Sequence, residues 1–485
     1  MDDTSTAYRE AVRRLTTTAP GARFAAAQAL VALGATDPAR RQPITDAICA
    51  WLRTAPAPDG HDAEERRTAL RLLTDRLRGS GPAPRTPPWD GISVDLSGAT
   101  LHDADFRACR LWAARFADTR FAGVTAFEGA AVDTDVSFAR AVFADDATFT
   151  GLRVGGDAAF GRTRFRARTD FTGAVFAGMA WFGRGAETWW EEDEAWDTVD
   201  EITPAPWDEP NEDDPHWPVA VLIEDYQDWE EGGDGARFAG DVSFRDVRFD
   251  GPAWFHHARF GARASFAGAR FAGRVHLAHP GSDLTGAHWA GGTDDGESEW
   301  PFGWAVVATG GPLTPDASVT PYSRQLADAD PVVRAAGLRI LARLGDDRPE
   351  LRQPIVAAFC AFLRVPVPFP VDAEARTAGQ DALLRERRLA QRLLADRLRP
   401  GPGQWRGVHL WLCGATLVDL DLRGGEAEYV DFTGAQFHGT TRLDGSRFDH
   451  VSFTLDGPSG RAVFHGDVVF GTAPPDHVVL HGAVA

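Results

Sequence analysis

From Leu96 the large apolar residues of the chain fall five apart, at Leu96, Leu101, Phe106, Leu111, Phe116 and Phe121. Two positions before each sits a small residue: Val94, Ala99, Ala104, Cys109, Ala114 and Thr119. Beyond Phe121 the step mostly alternates between six and five, through Phe127, Val132, Phe138, Phe143, Phe149, Val154, Phe160, Phe165, Phe171, Phe176 and Phe182. It resumes at Phe238, Phe244, Phe249, Phe255, Phe260, Phe266 and Phe271, then fades through Leu277, Leu284 and Trp289. Neither the helical period of 3.6 nor the strand period of 2 accounts for this spacing. A period of five fits a chain that turns a corner every fifth residue, so that four repeats close one square coil. The Leu or Phe points inward and stacks on its equivalent in the next coil, and the small residue two earlier points inward where space is short. Coils then stack about 4.8 Å apart through β-type hydrogen bonds. The six-residue steps lengthen two sides, giving about 22 residues per coil in place of about 20.

Helical patterns precede this rhythm, and they occur twice. RRQPITDAICAWLR (40–53) matches LRQPIVAAFCAFLR (351–364), RRTALRLLTDRLRG (66–79) matches RRLAQRLLADRLRP (387–400), and WDGISVDLSGATL (89–101) matches WRGVHLWLCGATL (405–417). The pattern predicts a tandem duplication, with three short amphipathic helices per copy; in the second copy they span about 331–345, 352–364 and 374–399. Leu389, Leu393, Leu394 and Leu398 share one face of the last. Pro43 and Pro354 stand near helix starts, where proline is tolerated. Such helices suit the open first coil, whose bare N–H and C=O groups would otherwise recruit other chains. A second coiled run follows at Leu412, Leu417, Leu422, Phe432, Phe437, Leu443, Phe448 and Phe453, breaks at DGPSG, and recovers at Phe464 and Phe470.

The stretch VDLSGATLHDADFRACRLWAARF resembles the pentapeptide repeat family, whose pattern is A-[DN]-L-x-x with Leu or Phe central, and the later Phe run resembles its Phe-rich variant. The resemblance covers about 94–183, 236–289 and 408–470. It implies a mainly β fold with α-helical caps: right-handed quadrilateral β-helices, in two units each preceded by a small helical module, an order similar to that of actinobacterial-type members. The predicted organisation is a helical module (1–88), a β-helix (89–186) interrupted at 187–236 and continued at 237–300, a linker (301–321) able to act as a hinge, a second helical module (322–403) and a second β-helix (404–485). Family resemblance also implies one possible partner, since some members look like duplex DNA in width and charge, bind DNA gyrase and protect it from inhibitors.

Charge argues against that mimicry. The net charge is −20, but Glu187–Ala236 alone holds 19 Asp and Glu and no Arg. The remainder carries 51 acids against 50 bases, so the coils are nearly neutral, and no basic footprint for direct nucleic-acid binding is visible. All 50 bases are arginine, which excludes a lysine phosphate loop, a Schiff-base lysine and a kinase-type lysine. The acidic insertion is also rich in aromatics, and three readings of it stand open. VAVLIEDYQDW packs on the flank while the acids stay solvated; or the segment is a docking arm for a protein with a basic surface; or Asp193, Asp213 and Asp214 hold a divalent cation, although no EF-hand spacing is present. As a docking arm, its contacts are Trp189, Trp190, Glu191, Glu192, Asp193, Trp196, Trp207, Trp217, Tyr226 and Trp229, because exposed aromatics concentrate binding energy.

Catalytic patterns are missing from the sequence: there is no G-x-S-x-G, C-x-x-C, H-E-x-x-H or G-x-G-x-x-G after a strand. His256 and His257 read as surface residues, and the spacing of His465, His477 and His481 does not favour a metal. Cys49, Cys109 and Cys360 read as small buried hydrophobes. Four cysteines in 485 residues make no disulfide framework, the acidic polar start is no signal peptide, and no apolar run is long enough to span a bilayer, so a cytoplasmic location is expected. The sequence thus predicts a non-catalytic scaffold that binds a protein partner, with no cofactor and no metal; gyrase binding is the alternative, and an enzyme built around the insertion ranks third. A solid Phe interior and a regular surface lattice predict no concave pocket.

Overall fold

The computed structural model describes residues 3–16, 21–56, 60–78, 88–183, 235–255, 258–277, 279, 281–291, 298–306, 311–365, 367, 369–373, 375–453, 462–470 and 479–480. Eight α-helices occur among them, four before each coiled array: α1 (Asp3–Leu15), α2 (Ala22–Thr36), α3 (Arg41–Arg53) and α4 (Gly60–Leu77), then α5 (Thr320–Gln325), α6 (Pro331–Asp347), α7 (Arg352–Arg364) and α8 (Ala378–Leu398). The sequence pattern predicts three per module. The short α5 escapes periodicity because six residues show none; it is held instead by Thr320 Oγ1 donating to Gly303 O (2.6 Å) and Ser323 Oγ donating to Phe302 O (3.1 Å).

Each module meets its first coil through the same atoms. Gln42 on α3 donates from Nε2 to Ser93 O (2.9 Å) and accepts from Ser93 N at Oε1 (2.9 Å). On α7, Gln353 does the same for His409 (3.0 and 2.8 Å). A side-chain amide thus stands in for the missing neighbouring strand, satisfying a donor and an acceptor that the open edge would leave bare. The buried guanidinium of Arg66 binds the last carbonyls of α3, including Leu52 O (3.0 Å) and Thr54 O (2.9 Å). Arg387 binds Leu363 O and Val365 O (2.8 Å) at the end of α7. Trp89 and Trp405, both fully buried, lie against Gly34 and Gly345, where an added Cβ would come within 2.5 Å of the indole.

In the first array, parallel strand pairs of two or three residues build four sheets that the chain visits in rotation. Val94 pairs with Ala114, 20 positions on; Ala114 with Val136 and Val136 with Ala158 are each 22 apart. The lengthened coil expected from the six-residue steps is therefore present from the second coil onward. Leu96, Leu101, Phe106, Leu111, Phe116, Phe121, Phe138, Phe149, Phe160, Phe171, Phe182, Phe244, Phe255 and Phe266 are all buried. Their rings run up the array in columns: Phe116, Phe138, Phe160, Phe182 and Phe255 stack at successive centroid distances of 5.0, 5.0, 4.4 and 4.8 Å. Adjacent columns meet edge-on, as in Phe160–Phe171 at 5.5 Å and 89°. Such pairs contribute about 0.5–1.5 kcal/mol each beyond their area.

The second array is shorter. Thr416 pairs with Gln436, 20 positions on, and Gln436 with Val463, 27 on, so the DGPSG break is taken up without ending the sheet. The linker expected to hinge the two arrays is docked in its described part. Trp304–Val306 and Leu313–Pro315 form an antiparallel pair, and Leu313, itself buried, donates its N–H to Ala287 O (2.9 Å) at the end of the first array.

Candidate functional site

At alternate corners of the array the carbonyl of the inward Phe accepts the N–H three residues on: Phe138 O from Ala141, Phe149 O from Leu152, Phe160 O from Thr163. At Phe182 the donor is Ala236 (2.7 Å). The registers on both sides agree, since Ala180 pairs with Ala253, 73 positions on instead of 22, so 51 residues are extra. They fall between Gly183 and Gly235, inside one ordinary turn. The DGPSG break is built the same way, with Ala462 N donating to Phe453 O (2.7 Å). The sequence-predicted contact residues Trp189, Trp190, Glu191, Glu192, Asp193, Trp196, Trp207, Trp217, Tyr226 and Trp229 lie outside the described residues, as do Asp213 and Asp214.

The array surface pairs its charges. Arg140 meets Asp118 from the coil below at 2.7 Å, Arg168 meets Asp146 at 3.0 Å, and Arg263 meets Asp241 at 2.8 Å, each across 22 positions. Within one repeat, Arg107 bonds Asp105 and holds its carboxyl down at about 2. The exposed pairs, Arg168–Asp146 and Arg263–Asp241, contribute little stability, but such pairs offset charge along the array.

A concave site does exist, contrary to the pocket-free expectation. The interior is solid, but α6, α7 and α8 of the second module, with residues 326–329, stand off the flank of the first array and leave a cleft of about 800 Å3 between them. Phe260, Leu326, Phe362, Val365, Phe369 and Leu383 supply apolar wall. Arg166, Asp241, Arg263, Asp328 and Arg334 supply charge, and the first turn of α8 contributes Thr377, Gly379 and Gln380. Arg334 is bound by Glu386 at 2.7 Å. No sequence period could reveal this cleft, because its walls come from segments roughly 100 positions apart. The one local sign is the fading of the rhythm around His279, which packs edge-on against Phe260 at 4.8 Å. Burial, with Arg364 adding to it, pushes the His279 imidazole down to about 4.

The other chemistry-bearing groups are quiet. Burial pushes the Cys49, Cys109 and Cys360 thiols up to about 12, and all four cysteines are buried with no disulfide between them. His465 stacks on His438 (4.5 Å), whose Nδ1 bonds Asp372 Oδ2 at 2.7 Å. His256, His257, His477 and His481 lie outside the described residues. Among the described residues no group of three or more His, Cys, Asp or Glu is placed to hold a metal ion, and no helix is long and apolar enough to cross a membrane.

Parallel two-residue strands, tight turns at alternate corners and a column-stacked Phe core define a coiled repeat protein. Residues 234–279 match the family model described as Pentapeptide repeats (9 copies): this stretch of the chain is a pentapeptide-repeat array. The coils before it run in the same 22-position register. No curated protein matches the chain, and no solved structure does.

Proposed function

We propose that the protein is a non-catalytic scaffold in which the first array, a right-handed four-sided rod, displays the acidic, Trp-rich segment to a cytoplasmic protein partner with a basic surface. The observation that carries this reading is the Phe182–Ala236 turn: 51 residues leave and re-enter within one turn, and the rod keeps its register on both sides. An appendage on so rigid a mount suits presentation, and its composition suits a basic counterpart, with tryptophans as anchors. The two helix-capped units repeat one another's contacts at the first coil, which supports descent from a tandem duplication. Gyrase binding by DNA mimicry draws less support, because Asp118, Asp146 and Asp241 are each neutralised by an arginine on the next coil.

Deletion of 184–234 tests the reading. Register arithmetic says that joining Gly183 to Gly235 restores an ordinary 22-residue coil, so the variant keeps its fold. Partners captured from native lysate by the full chain are expected to be lost by this variant while its circular dichroism is unchanged. An identical partner set from both proteins would refute the role given to the segment.

A further inference from the structure

The cleft between the first array and the second helical module has the make-up of a small-molecule site. Its volume of about 800 Å3 lies in the usual range for such sites, roughly 300–1,000 Å3. Phe260, Phe362, Phe369 and Leu383 give it an apolar wall. Its charged end is unbalanced. Arg387, which lines the cleft and is 1% exposed, directs Nε to Thr416 O (3.1 Å) and Nη2 to Leu363 O and Val365 O. All three partners are neutral carbonyls, and Nη1 has no hydrogen-bond partner among the described residues. The carboxylates nearby are engaged elsewhere: Glu386 binds Arg334, and Asp241 binds Arg263. A buried cation that hydrogen-bonds only neutral carbonyls is costly, and burial, with Arg259 adding to it against the opposing charge of Glu386, pushes the Arg387 guanidinium down to about 9.

We propose that this cleft binds an amphipathic small-molecule carboxylate, whose hydrocarbon tail lies along Phe260, Phe362, Phe369 and Leu383 and whose carboxylate meets Arg387, midway along α8. A carboxylate supplies negative charge at Arg387 and accepts a charge-assisted hydrogen bond from Nη1. The tail covers aromatic wall that water otherwise wets.

Isothermal titration of the full chain with decanoate tests this, with decanol and acetate as the two half-ligands. Decanoate is expected to bind saturably at one site, decanol at least ~10-fold more weakly for want of the charge-assisted bond, and acetate not measurably. Arg387 also closes α7, so its replacement can unfold the module. Leu383→Trp, on the exposed side of the wall, fills the cleft instead. It should weaken decanoate binding at least ~10-fold by occlusion with an unchanged circular dichroism spectrum and melting temperature. Absence of saturable decanoate binding overturns the proposal. So does equal binding of decanol, or undiminished binding by folded Leu383→Trp.

Discussion

Phe160→Ala is the most direct test of a core built from stacked rings. Phe160 is fully buried, sandwiched between Phe138 (5.0 Å) and Phe182 (4.4 Å), and met edge-on by Phe149, Phe171 and Phe176 at 6.0, 5.5 and 6.3 Å. Truncating a buried Phe costs about 3–5 kcal/mol through lost transfer energy and the residual cavity. The narrow coil cannot collapse, because backbone bonds to the coils above and below fix its width; the upper end, about 5 kcal/mol, is therefore expected. That is comparable to the whole stability of many domains, about 5–15 kcal/mol. Phe453 is the internal control: it lies in the short second array, is 7% exposed, and has ring neighbours only at 5.2, 6.3 and 6.0 Å. Its replacement by Ala should cost about 2 kcal/mol, because its site is open enough to relax. Urea unfolding followed by far-ultraviolet circular dichroism measures both. If Phe160→Ala shifts its transition no more than Phe453→Ala shifts its own, the ring columns are not what holds the rod together.

Three further outcomes are expected. Gln353→Leu strips the edge of the second array of its surrogate strand and should destabilise it by about 2–3 kcal/mol, with faster amide exchange localised at His409; unchanged exchange there would count against the capping role. Gly345→Ala places a Cβ within 2.5 Å of the buried Trp405 indole and should cost about 1–3 kcal/mol by overpacking, seen as a lowered melting temperature, with the matched Gly34→Ala behaving alike. The third concerns pH. His276 and His279 are pushed down to about 4 by burial, so the unfolded chain takes up their protons first. Their contribution is fully present above about pH 6.5 and is lost as pH falls toward 4, at most about 2 kcal/mol for His279 between pH 7.5 and 5 and less for His276, which water partly screens. A His276→Gln/His279→Gln variant should show a shallower loss of stability over that interval; parallel curves would refute the assignment.

The architecture was legible because it is periodic. A five- and six-residue step is enough to place Phe138, Phe160 and Phe182 in one column, and the change from 20- to 22-residue coils can be read from where Phe127 and Phe138 fall. What stayed hidden depends on contacts that leave no period. The six residues of α5 are ordered by Gly303 and Phe302 and carry no pattern of their own. The linker reads as a loose Gly/Pro stretch, yet Leu313 is drawn under the end of the array by the unpaired carbonyl of Ala287. The cleft was invisible for the same reason: the surface lattice of one array predicts no hollow, and only the approach of Phe362, Phe369 and Leu383 from a distant module makes one.

The Phe182–Ala236 turn has an evolutionary consequence. Both interruptions of the coils, 51 residues here and a shorter one after Phe453, leave through the same kind of corner and return to the same hydrogen bond. Closing a loop grows only logarithmically harder with its length, by about 0.6 kcal/mol per doubling. The corners therefore behave as insertion ports. Selection can lengthen, shorten or exchange what is plugged into one of them while the rod is conserved, so the two parts of the gene are free to diverge at different rates.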